Sequence, residues 1–396
     1  MTAYPARQHG SAIKSKDWGE RILNASPAEM LPVDYAEAVL VGRVLTDAGP
    51  SPVVLRGGRI YDVSASVPTV SDLLDLADPA NAAGTDIGAI ADIGSDTGPA
   101  LLAPIDLQCV KACGVTFALS AIERVIEERA RGDADKASEI RGDLEARVGS
   151  GIRSVVPGTP EAANLKSALI EAGMWSQYLE VAIGPDAEVF TKAPVLSAMG
   201  WGVDIGVRSD SDWNNPEPEV VLIVDRKGSP RGATLGNDVN LRDFEGRSAL
   251  LLGKAKDNNA STALGPFIRL FDAGFTMDDV RSAQIDLVIE GPEGYRLEGA
   301  NKMSQISRDP TELVRQTLSE HQYPDGFALF LGTLFAPIQD RDHAGRGFTH
   351  KDGDVVRISS PKLGALVNRV TTSKAAAPWT FGIRELMRNL AGRGLL

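Results

Sequence analysis

The feature that most restricts the fold is the run Pro216-Glu217-Pro218-Glu219-Val220-Val221-Leu222-Ile223-Val224, where two carboxylates two residues apart open an unbroken apolar segment. Such a run, rich in β-branched residues, reads as a buried strand. Residues i and i+2 of a strand project to one side, so Glu217 and Glu219 aim two anions at one point. Carboxylates at the mouth of a buried strand must be solvated or compensated, and a divalent cation is the simplest compensation. The other reading is a solvated acidic turn ahead of the strand. The choice between them turns on further ligands.

A third carboxylate is offered by Gly236-Asn237-Asp238-Val239-Asn240-Leu241-Arg242-Asp243, where Asp238 either joins the pair or merely ends a strand. Three carboxylates with water in the remaining positions suit a hard octahedral ion: magnesium, with manganese and calcium as alternatives of the same oxygen preference. Downstream, Gly253-Lys254-Ala255-Lys256-Asp257-Asn258 places lysines in a Gly/Asn-rich segment. A lysine beside a metal and buried is pushed toward its neutral form and acts as a base near neutral pH, whereas a surface lysine does neither. Upstream, the alternation in Glu188-Val189-Phe190-Thr191-Lys192 puts Glu188, Phe190 and Lys192 on one strand face, as a pocket lining or as an ordinary half-exposed edge.

The 396 residues carry a net charge of -12, and no basic stripe interleaved with aromatics offsets it, which opposes a nucleic-acid partner. No apolar run approaches the ~20 residues that span a bilayer, and Met1 to Asp17 lacks the apolar centre of a secretory signal, so a cytoplasmic protein without a membrane partner is expected. Cys109 and Cys113 lack the second pair of a zinc site and read as reduced structural thiols. His9, His321, His343 and His350 form no close pair, so any metal here is held by oxygen.

The organisation reads as a polar leader over 1–32, a small β-rich N-terminal domain with its linker over 33–100, and a catalytic domain over 101–396. Strands are expected over Ala38–Leu45 and Val53–Tyr61, the second folding over Gly57-Gly58, with a linker over Asp78–Pro99. Helical spacing over Ala118–Arg131 and Ala134–Val148 precedes a series of short strands, and a last helix is expected over Ile383–Leu390. No strand runs into a phosphate-cradling glycine loop, so a nucleotide fold has no support.

These segments, in this order over Leu107–Val370, resemble the fumarylacetoacetate hydrolase superfamily, which holds magnesium with an E-x-E pair and a later aspartate. The resemblance implies an α+β, mostly β fold with a β-roll catalytic domain. It implies metal ligands at Glu217, Glu219 and Asp238, an essential lysine at Lys256, and the F-x-K strand at Phe190 and Lys192. Gly332-Thr333 matches the family's Gly-Thr that binds a substrate carboxylate, and Gly353-Asp354 matches its closing segment. Where carbon–carbon hydrolases of the family carry G-x-N-Y-x-x-H, the chain reads Gly114-Val115-Thr116-Phe117-Ala118-Leu119-Ser120, so Ser120 stands at the place of the water-activating histidine and Phe117 beside it. Glu123 remains, but a carboxylate does not replace an imidazole poised near neutral pH.

Similarity to the sugar-acid dehydratase branch, through Trp175–Glu180, Ser209–Glu219, Asn301–Asp309 and Arg388–Gly394, implies a magnesium-dependent dehydratase of pentose breakdown. Its expected substrate is a 2-keto-3-deoxy sugar acid, 2-keto-3-deoxy-D-xylonate or the identical D-arabinonate derivative, and its product 2,5-dioxopentanoate. Lys256 is expected to abstract the C3 proton and Glu188 to protonate the departing hydroxyl, or the reverse. Lys192, Thr333, Gly332, Ser120 and Phe117 are expected around the substrate. A homodimer or homotetramer is the family's usual state. The alternatives are a 2,4-diketo acid hydrolase and, from another class, a catalytically silent metabolite-binding oligomer.

Overall fold

The computed structural model describes residues 30–93, 99–118, 121, 125, 155–171, 173–335, 339–342 and 347–396. Strand exceeds helix, 33% to 23%, as the expected mostly β class requires. Four antiparallel strands come first: Leu40–Thr46 (β1), Gly49–Arg56 (β2), Arg59–Asp62 (β3) and Thr85–Ala89 (β4). Gly57 and Gly58, at φ 55° and 72°, make the two-residue turn between β2 and β3 that demands the left-handed region twice. There follow Ala100–Leu101 (β5), Cys109–Gly114 (β6), Glu188–Ala193 (β7), Asp204–Val207 (β8), Asn214–Asn215 (β9), Pro218–Val224 (β10) and Pro230–Asp238 (β11). Asn240–Leu241 (β12), Thr262–Leu270 (β13), Gln284–Glu290 (β14), Arg296–Lys302 (β15), Phe327–Phe330 (β16), Val355–Ser360 (β17) and Gly364–Thr372 (β18) complete the set.

Eleven strands form one mixed sheet in the order β4-β3-β2-β1-β13-β11-β10-β16-β6-β7, with β5 on β1. Five more make a second sheet, β15-β14-β17-β18-β8, and neither closes on itself. One face of the large sheet shares a core with the second sheet: Val220, Leu222 and Val224 of β10 lie in the same cluster as Leu287, Ile358 and Leu366. Val221 and Ile223 point the other way, into a cluster with Val54, Ile268 and Leu73. Burial on both faces is why β10 is apolar without alternation.

β1 pairs with β13, setting Leu40 opposite Arg269 and Val41 opposite Ile268, so the N-terminal strands extend the sheet that carries β10 and β11. The boundary expected near residue 100 is not marked by any break in that sheet. The stretch expected to be linker contains a 3-10 turn at Pro79–Asn81 and the strand β4. β4 exists because β3 supplies a hydrogen-bonding edge, which its own Gly- and Asp-containing sequence does not announce. The helices expected over 118–131 and 134–148 lie almost wholly outside the described residues. Among the described residues no helix is long and apolar enough to cross a membrane.

Asp354, in the closing Gly-Asp segment, pins the start of β17. Its carboxylate accepts from Arg341 Nη1 at 2.7 Å and Nη2 at 2.8 Å, from the Lys351 N–H at 2.9 Å, and pairs with His350 Nδ1 at 3.1 Å. Burial pushes this carboxyl up, but Arg341 and His350 outweigh it and bring it down to about 2 from an ordinary 3.8. A depressed carboxyl stabilises the fold above its unfolded pKa and stops doing so as pH falls through its folded one. Between pH 4 and 2 the chain is therefore expected to lose ~2 kcal/mol through this group alone. Urea unfolding of the native chain and of Asp354→Asn across that window checks it: the variant should be less stable at pH 6, and the gap should close on acidification.

Candidate active site

Antiparallel pairing of β10 with β11 sets the opening of one strand beside the end of the other, Pro218 against Asn237 and Glu219 against Gly236. Two further bonds lock this junction: the Glu217 N–H donates to Asn237 Oδ1 at 3.1 Å, and the Asp238 N–H to the Glu217 carbonyl at 3.0 Å. Glu217, Glu219 and Asp238 thus converge, with one carboxylate oxygen from each lying within 4.8 Å of the others. All three are buried, at 7%, 2% and 2% exposure, so water does not dilute their repulsion.

Lys256 ends the short helix Leu252–Lys256 and reaches into this cluster, its Nζ on Glu217 Oε2 and 3.1 Å from Asp238 Oδ2. Burial pushes the ammonium toward losing its proton, but Asp238 and Glu217, with Glu245 behind them, outweigh burial and hold its pKa above the ordinary lysine value. Glu219 is raised well above the carboxylate range, first by burial and then by Asp238 and Glu217. Its Oε2 accepts the Gly332 N–H at 2.6 Å.

A cavity opens on these groups. It is lined by Glu217, Glu219, Asp238 and Lys256, with Glu188 and Phe190 from β7 and Gly332 and Thr333 beyond β16. The Phe190 ring lies 5.9 Å from Lys256 Nζ. Thr333 Oγ1 accepts the Phe335 N–H at 3.0 Å, which leaves its O–H to donate elsewhere. Gly114 closes on Glu188 so tightly that a Cβ there would lie 2.0 Å from Glu188 Oε2. Gly114→Ala is therefore expected to swing the Glu188 carboxylate away and to cut turnover at least tenfold without lowering the melting temperature appreciably. Steady-state kinetics beside a thermal melt separates that outcome from general misfolding.

Two expected pocket residues lie elsewhere. Lys192 is fully buried behind Asp238, 2.9 Å from its Oδ1, and its Nζ also bonds the Lys256 and Val239 carbonyls. Burial pushes the Lys192 pKa down and Asp238 opposes it. It is part of the support of the cluster and does not line the cavity. Phe117 is fully buried in the core and lines no part of it either. Ser120 and Glu123 lie outside the described residues.

The cavity also carries groups that sequence reasoning did not select, among them Asn215, Arg242 and Glu245. Arg242, stacked 5.1 Å from the Trp213 ring, stood within the motif that supplied Asp238. Glu245 is three residues further along the helix Arg242–Glu245, a spacing that keeps both on one helix face. Cys113 lines the cavity as well, but burial raises its thiol far above the ordinary range, and both cysteines are free.

The donor set tests what the cluster suits. Three buried carboxylates converge here, and after burial their like-charge repulsion raises the Glu219 pKa. An all-oxygen anionic set of this kind fits a hard divalent cation and is poor for softer metals.

The strand ends of this open, mixed sheet present to one cavity three carboxylates that could hold a metal ion, with a lysine beside them. The family described as fumarylacetoacetate (FAA) hydrolase C-terminal matches residues 162–371, just over half of the chain, and the chain belongs to it. The 2-dehydro-3-deoxy-D-arabinonate dehydratase of Saccharolobus solfataricus is 32% identical over 186 residues, 46% of this chain and 58% of that relative. A Haloferax volcanii protein named "Probable 2-keto-3-deoxyxylonate dehydratase" is 28% identical over 258 residues, 65% of this chain and 85% of its own. A solved structure of 2-keto-3-deoxy-D-arabinonate dehydratase complexed with magnesium and 2,5-dioxopentanoate shares the fold. It has a TM-score of 0.59 and 22% identity, over 84% of this chain and 99% of that one.

Proposed function

We propose that the chain is a divalent-metal-dependent hydro-lyase that removes water from a 2-keto-3-deoxy pentonate, leaving 2,5-dioxopentanoate. The observation that carries this reading is the meeting of Glu217, Glu219, Asp238, Lys256 and Glu188 around one cavity. It is supported by the two dehydratase relatives.

Glu217, Glu219 and Asp238 would hold the ion, magnesium by preference. When bound there, it would draw electron density from the keto-acid end of the substrate, raising C3 acidity, and would relieve the carboxylates' hold on the Lys256 proton. Lys256 takes a proton from C3, and that C–H electron pair becomes the C3–C4 double bond as the C4–oxygen bond breaks. Glu188 gives its proton to the leaving hydroxyl, so one water departs. A proton then leaves C5 and another leaves the C5 hydroxyl, while one returns to C3 and one to C4, which converts the terminal carbinol to the aldehyde. The Thr333 O–H and the Gly332 segment orient the carboxylate end, with Phe190 as the apolar wall. Lys192 supports Asp238 from behind. No water attacks carbon in this sequence, so no activating imidazole is required at Ser120.

The test is incubation with 2-keto-3-deoxy-D-xylonate, with magnesium or with EDTA, following 2,5-dioxopentanoate through a coupled semialdehyde dehydrogenase. Metal-dependent aldehyde is the expected result. Pyruvate release from a 2,4-diketo acid, with no aldehyde from the pentonate, would overturn the dehydratase in favour of a hydrolase.

A further inference from the structure

One wall of the cavity is built from short elements that the mechanism above leaves without a task. β9 and β12 pair only over two residues each, setting Asn240 opposite Asn215 and Leu241 opposite Asn214. Asn215 is 1% exposed and lines the cavity. Its Nδ2 donates to the Pro216 carbonyl at 2.9 Å, which fixes which end of the amide is oxygen. Its Oδ1 is buried and has no partner among the described residues. In the same cavity lining is Glu245, whose Oε2 accepts the Asn240 Nδ2–H at 2.8 Å. On this wall Arg242 supplies donors, and Asn215 Oδ1 is a buried acceptor without a partner among the described residues. A buried acceptor left unmatched is costly, so the ligand of this wall should bring hydroxyl or amine donors.

We infer that Asn215 Oδ1, with Glu245, recognises the hydroxyl-bearing end of the substrate, and so sets specificity for a diol-bearing keto acid over one with an apolar tail. The inference rests on the dehydratase reading and names the part of the substrate that this wall reads. A 2-keto-3-deoxy pentonate carries hydroxyls on C4 and C5, and its tail can bring an O–H donor to Asn215 Oδ1. The keto-acid end is provided for separately, by the carboxylate cluster and the Thr333 O–H. A tail lacking the C5 hydroxyl would leave Asn215 Oδ1 buried and unmatched, which is how a polar site rejects a deoxy analogue strongly.

The experiment compares kcat/KM for 2-keto-3-deoxy-D-xylonate and for 4-hydroxy-2-oxopentanoate, which lacks only the C5 hydroxyl, at saturating magnesium. Consumption of each acid is measured for the native chain, Asn215→Ala and Glu245→Ala. The native chain should prefer the diol. Asn215→Ala should reduce that preference about tenfold, chiefly through loss on the diol, as expected for one hydrogen bond and its unmatched partner. Glu245→Ala, on a half-exposed helix, should reduce it too and carries the test if the Asn215 variant fails to fold. Equal loss on both substrates would overturn the inference. So would an unchanged preference with a shifted magnesium half-saturation, which would assign the oxygen to water around the ion. A native chain that consumes neither acid would instead sink the dehydratase reading, and this inference with it.

Discussion

Replacing Lys256 by methionine is expected to lower turnover of the keto acid about 10²–10⁴-fold, the loss typical of a side chain that transfers the reacting proton. Two further consequences distinguish this from ordinary damage. Lys256 Nζ lies on Glu217 and Asp238, so its removal takes that counter-charge from both buried carboxylates and leaves Asp238 with Lys192. Breaking a buried pair from one side costs ~3–5 kcal/mol, and the metal-free variant should melt correspondingly lower than the native chain. Magnesium should reverse most of that loss, because an ion on the same oxygens supplies the missing charge. The variant should also bind magnesium more tightly than the native chain, since ammonium and cation compete for the same carboxylates and repel each other. Calorimetric titration with magnesium, thermal melts with EDTA or magnesium, and turnover together decide the matter. Near-native turnover would end the assignment of Lys256 to proton transfer, and much weaker magnesium binding would show that it assists the ion.

The parts of this site that were legible in the sequence are those with short-range geometry. Glu217 and Glu219 are readable because a strand puts i and i+2 together, and β10 is readable because it is apolar without interruption. Asp238 is not readable from spacing: it joins the pair only because β11 runs back antiparallel along β10, a fact of register. The resemblance to a known family supplied that residue where local rules left it open. Lys192 shows how a local rule fails. Alternation places it with Glu188 and Phe190, but β7 advances two residues, Thr191 to Ala193, while β6 advances one, Lys111 to Val110. Lys192 is the extra residue of that bulge, and a bulge re-aims its side chain. Asn215 was missed for another reason. A two-residue strand has no period to detect, and a buried orphan oxygen is visible only in three dimensions.

The re-aimed lysine leads to the second large effect. Lys192→Met is expected to destabilise the chain by ~1.5–3 kcal/mol, because it takes from the buried Asp238 one of its two lysine partners and leaves Lys256 as the other. It also removes the donor that the Lys256 and Val239 carbonyls share. Those two carbonyls belong to the segments that deliver Lys256 and follow Asp238, so the damage falls on the geometry of the cluster and not on substrate contact. Lys192→Arg should not rescue it, since a fully buried pocket shaped for an ammonium has no space for a planar guanidinium. The readouts are the urea midpoint, the magnesium half-saturation and KM. A lower midpoint with weaker magnesium binding is the expected pattern. A raised KM at unchanged midpoint and unchanged magnesium affinity would instead return Lys192 to the substrate-binding role that alternation suggested, and would mean that the side chain leaves its buried position when the substrate arrives.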